Sequence, residues 1–75
     1  MSKFDRITHV PGLVGARPTI RGMRLTVGMI LDHLANGYSI ERILAEFPDL
    51  EREDIEQAVH YAQRRIDEPD FDLAS

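Results

Sequence analysis

The sequence predicts a mainly α-helical domain with a short N-terminal β-hairpin, a three-helix module of helix-turn-helix or winged-helix type. Three observations predict it. Apolar residues recur at i, i+3, i+4 and i+7 in three successive stretches, each closed by a glycine or a proline. The segment from Gly15 to Val27 is instead rich in turn formers and β-branched residues. The whole chain is 75 residues long and has no cysteine, which makes one domain without disulfides and leaves a small core. Residues 1–66 form that domain, and residues 67–75 are an acidic tail in which no ordered structure is expected.

Phe4 to Val10 is rich in strand formers and reads as a short strand ended by Pro11-Gly12. Leu13-Val14 leads through Gly15 into the hairpin. Pro18 fixes its own φ and drives Arg17 toward extended geometry. Thr19-Ile20 and Met23-Arg24-Leu25 then flank a two-residue turn, Arg21-Gly22, where Gly22 accepts a positive φ. A lone hairpin is marginal in water, so the first strand or the helices must support it.

Thr26 is the expected cap of the first helix, with Val27, Ile30, Leu31 and Leu34 on one face and Asn36-Gly37 at its end. Ser39 caps the second helix, which buries Ile40, Ile43, Leu44 and Phe47 and stops at Pro48. The third helix begins near Leu50-Glu51, with Ile55, Ala58, Val59, Ala62 and Ile66 as its buried stripe. Acids crowd its first turns and Arg64-Arg65 its last, the polarity a helix dipole favours.

The net charge of −4 conceals an asymmetry. Residues 1–38 carry five cations against two acids, a net +3, and residues 39–75 carry four against eleven, a net −7. Each half favours a different partner. No apolar run reaches membrane-spanning length and the N-terminus lacks a signal-peptide core, so a cytoplasmic protein with no membrane association is expected. His9, His33 and His60 lack metal-ligand spacing, and Gly12, Gly15 and Gly22 match no phosphate loop. No catalytic constellation is evident; neither an enzyme nor a cofactor is expected.

The run Gly15–Val27, the helix closed by Asn36-Gly37, Ser39-Ile40-Glu41-Arg42-Ile43-Leu44, Phe47-Pro48-Asp49-Leu50, Glu53-Asp54-Ile55 and Ala58…Tyr61-Ala62 resembles the small prokaryotic family called domain of unknown function 433. The resemblance runs from about Ile7 to Ala62. It implies a helix-turn-helix-type protein, and an antitoxin encoded beside a PIN-like ribonuclease toxin. The chain departs from the family pattern at three places. Gly15-Ala16 replaces Gly-Gly, Gly22-Met23-Arg24 replaces Gly-Thr-Arg, and Glu51 stands where Thr or Ser is usual. The last change weakens the expected cap of the third helix and makes Asp49 the alternative cap.

Arg17, Arg21 and Arg24 lie within eight residues and are the candidate contact for a partner or for DNA. Guanidinium groups suit phosphates and carboxylates alike. On the resemblance, that partner is a PIN-like toxin with a carboxylate-rich site, or operator DNA met by a homodimer. The start of the third helix is a poor reader of DNA, because Glu51, Glu53, Asp54 and Glu56 would face a polyanion. Solubilising charge is their expected role. Phe71 and Leu73, set among Asp70 and Asp72, are a candidate partner-docking motif in the tail.

Overall fold

Backbone pairing in the N-terminal third shows why this segment lies flat on the helices. The computed structural model describes residues 4–67. Strand β1 (Ile7–Thr8) pairs antiparallel with β2 (Thr19–Ile20), matching Ile7 with Ile20 and Thr8 with Thr19. The Thr pair is cross-linked through its hydroxyls at 2.8 Å, a cross-strand contact that satisfies the fully buried Thr19. Strand pairing thus covers two residues of the expected Phe4–Val10, because Phe4 to Arg6 turns instead toward the last helix.

The Arg21-Gly22 turn forms as expected. Both central residues have positive φ, 47° and 72°, the signature of the mirror-image turn that suits a twisted hairpin. Met23 N–H closes it onto the Ile20 carbonyl at 2.8 Å. The returning arm differs from expectation. Met23 to Leu25 is no strand; one bridge, Thr19 to Thr26, rejoins β2 before the first helix starts.

Between Gly12 and Arg17 lies a feature the sequence reading did not include. Val14, Gly15 and Ala16 form one left-handed turn, with φ of 48°, 67° and 61°. Ala16 N–H donates to the Leu13 carbonyl at 2.9 Å. For residues with a Cβ this conformation costs about 1–2 kcal/mol each. Gly15 adopts it freely, whereas Val14 and Ala16 bear that cost.

Three helices follow. Helix α1 (Val27–Ala35) is capped by Thr26, whose Oγ1 accepts from Met29 N–H at 3.0 Å. Gly37, at φ 90°, turns the chain after it. Helix α2 (Ile40–Glu46) is capped by Ser39, which accepts from Arg42 N–H at 3.1 Å. Helix α3 (Arg52–Ile66) has Glu51 at its cap position, not Asp49. The Asp49 carbonyl is occupied by Arg21 instead.

The core is Ile20, Val27, Ile30, Ile43, Leu50, Ile55 and Ala58. It joins the hairpin to all three helices, which is what a two-residue strand needs to persist. On α3 the buried stripe stops early: Val59 is 39% and Ile66 56% exposed, against the expectation that both are buried. The helix outruns the body it packs on. No helix among the described residues is long and apolar enough to cross a membrane.

Ala16→Gly is expected to stabilise the fold by about 1 kcal/mol, since glycine adopts positive φ freely. For a domain of this size that raises the melting temperature by roughly 4–8 °C, read by thermal denaturation followed by circular dichroism.

Candidate functional site

Asp54 stands at the third helical position of α3 and is fully buried. Its carboxylate accepts from the Glu51 backbone N–H at 2.8 Å, which satisfies one of the open donors at the helix start. Its other partners come from the N-terminal segment. Arg21, in the tight turn, donates through Nε at 3.1 Å and Nη2 at 2.8 Å, a two-pronged pair. Arg6, just before β1, donates through Nη1 at 3.0 Å. Arg6 also reaches Glu51 at 2.6 Å and Glu53 at 3.4 Å.

Neighbouring bonds fix this arrangement. Arg21 Nη2 donates to the Asp49 carbonyl at 2.6 Å, tying the hairpin turn to the α2–α3 connection. Arg6 N–H donates to Gln57 Oε1 at 3.0 Å, and Gln57 Nε2 donates to Asp5 at 2.9 Å. Phe4 meets Tyr61 edge-on at 5.5 Å, and His9 Nε2 lies 3.1 Å from the Tyr61 hydroxyl. The N-terminal segment is thus held along α3 from Glu51 to Tyr61.

Burial by itself pushes the Asp54 carboxyl up. The bonds from Arg21, the Glu51 N–H and Arg6 outweigh it and hold the group below the usual carboxylate range. Arg6 is pushed up by its bonds to Glu51 and then Asp54, and Arg21 by its bonds to Asp54. All three groups are locked in their charged forms. No buried side-chain polar atom among the described residues lacks a partner.

The three candidate arginines therefore fare differently. Arg21 is committed to Asp54 and Asp49 inside the protein. Arg17 and Arg24 are exposed and make no ion pair among the described residues. Arg17 stands over a shallow concavity shared with Pro18, Gly28, Met29, Asp32 and His33. Phe71 and Leu73 lie outside the described residues. Asp54, expected to be solubilising charge, is the most buried acid among the described residues. The Glu51-x-x-Asp54 spacing, a capping pattern, is the signal that could have singled it out. Nothing in the local sequence marks Arg6. No group of three or more metal-ligating side chains is present among the described residues.

Asp54→Asn is expected to cost about 3 kcal/mol, since it removes the negative charge between two arginines and turns one of its two acceptor oxygens into a donor. Arg21→Ala is expected to cost less, because its guanidinium is partly solvated and Arg6 still pairs with Asp54. The depressed Asp54 pKa also sets a pH window. Its stabilising contribution is complete above the unfolded-state value of about 3.9 and fades as pH falls through the lower folded value. Urea titrations from neutral pH down to acid are expected to show a steep loss in the native protein and a shallower one in Asp54→Asn.

Residues 7–62 match the model of a family described as protein of unknown function (DUF433). The uncharacterized protein y4eO of Sinorhizobium fredii (strain NBRC 101917 / NGR234) is 37% identical over 57 residues, which cover 76% of this chain and 26% of that protein. The chain thus spans about a quarter of this curated relative's length. The crystal structure of a DUF433 member protein from Anabaena variabilis ATCC 29413 matches at a TM-score of 0.76 and 30% identity, covering 79% of this chain and 58% of that one. That structure shares the fold, and since the family match takes in the hairpin, α1, α2 and most of α3, the chain belongs to the DUF433 family.

Proposed function

We propose that this protein is a binding module rather than an enzyme: an antitoxin-like homodimer that neutralises a PIN-like ribonuclease. The observation that carries the reading is the pairing of unspent charge with exposed apolar surface. Arg17 makes no ion pair among the described residues and borders Pro18, Gly28 and the 40% exposed Met29. A cation beside an apolar anchor suits a protein partner with an acidic site. Arg24 is also exposed.

Contact with operator DNA is the weaker part of the reading. The exposed residues at the start of α3 are Glu51, Arg52, Glu53 and Glu56, and three acids repel phosphate. We assign any DNA contact to Arg17 and Arg24 of two copies. A scaffold module with no nucleic-acid role is the alternative, favoured by the commitment of Arg6 and Arg21 to internal acids.

Co-expression with a PIN-like protein encoded beside it is expected to give a co-purifying complex and to restore growth arrested by that protein. Arg17→Glu/Arg24→Glu is expected to abolish both while leaving the melting temperature unchanged. A native chain that neither binds nor rescues would refute the antitoxin reading. Gel shifts with upstream DNA at two salt concentrations decide the nucleic-acid part: absence of specific, salt-sensitive binding leaves the scaffold alternative.

A further inference from the structure

A second groove, of about 570 Å³, runs between the start of α1 and the end of α3. Its floor is apolar, made by Val27, Gly28, Tyr61, Ala62 and Ile66. Ile66 is the most exposed large apolar side chain among the described residues, at 56%. The ionisable groups at its edge include Arg65 and His9, and among the described residues no Asp or Glu lines it. Arg17 flanks it, through the Pro18 and Gly28 that both concavities share. In a chain of net charge −4, this is an apolar surface with a basic rim.

The sequence that follows α3 has the complementary chemistry. Residues 68–75 contain Glu68, Asp70 and Asp72 and no Lys or Arg. Phe71 and Leu73 alternate with the acids, so an extended stretch presents both apolar side chains on one side. Reach is sufficient. Phe71 lies five positions beyond Ile66 in sequence, a separation that spans up to about 16 Å when extended. Tyr61, at the far part of the groove, lies five residues back along α3, about 7.5 Å.

We propose that Phe71 and Leu73 dock in this groove of their own chain, with Asp70 and Asp72 facing Arg17, Arg65 and His9. The tail then masks the apolar surface that α3 presents beyond the core. This inference concerns the free chain and stands or falls independently of any toxin.

The protein has no cysteine, so Ser75→Cys gives a single position for a nitroxide label in the full chain. Amide spectra of the labelled protein are expected to show the Gly28, Tyr61 and Ala62 signals losing more than half their intensity relative to the reduced label. The loss is expected to persist on dilution, to be absent when labelled chain is mixed with unlabelled isotope-enriched chain, and to vanish in Phe71→Ala/Leu73→Ala. The remaining signals of the same spectra report that each variant is folded. Undiminished groove signals, losses that appear in the mixed sample, or losses that survive the double substitution would each overturn the proposal.

Discussion

One carboxylate, Asp54, holds three parts of this small domain in register. It finishes the first turn of α3 from below, anchors the hairpin turn through Arg21 and fixes the approach to β1 through Arg6. The two strands are two residues each, and such a sheet has little stability of its own. Apolar burial of Ile20 holds it from one side, and the ion network holds it from the other. A buried carboxylate is costly unless fully paired; here four donor atoms converge on it, so the cost is offset. Directional bonds also specify geometry, which a core of seven small-to-medium side chains does less strictly.

The same network shapes what surface is left for partners. Of the first-turn acids of α3, Glu51 and Glu53 reach Arg6 and Asp54 is wholly internal. Arg21 has the position of an exposed hairpin tip but the bonding of a structural residue. The charge asymmetry along the sequence is partly cancelled in space, because the basic front and the acidic back meet at this point. Arg17 and Arg24 remain outside it and are exposed.

The helices were legible in the sequence because each has a periodic apolar face and a recognisable stop: Gly37 after α1 and Pro48 after α2. Thr26 and Ser39 cap as their side chains dictate. The turn at Arg21-Gly22 was legible from its glycine. The left-handed turn at Val14–Ala16 was not, since a β-branched valine at positive φ runs against local preference and is imposed by the surrounding structure. Nor were the partners of Asp54 legible, because Arg6 and Asp54 are 48 residues apart and only the fold brings them together. Val59 and Ile66 follow the helical period faithfully; periodicity says which face is apolar, not how far the neighbouring elements extend to cover it.

The pairing of β2 on both sides has a consequence for self-association. Toward β1 it is satisfied by Ile7 and Thr8, and on its other side by the Thr26 bridge and by Ile20 N–H donating to the Leu25 carbonyl at 2.9 Å. Among the described residues the sheet's remaining free margin is the two-residue outer side of β1, too short to template a cross-chain ladder. Two copies of this protein therefore gain little by adding strand to strand at this sheet, and crowding the molecule does not invite fibrils seeded there.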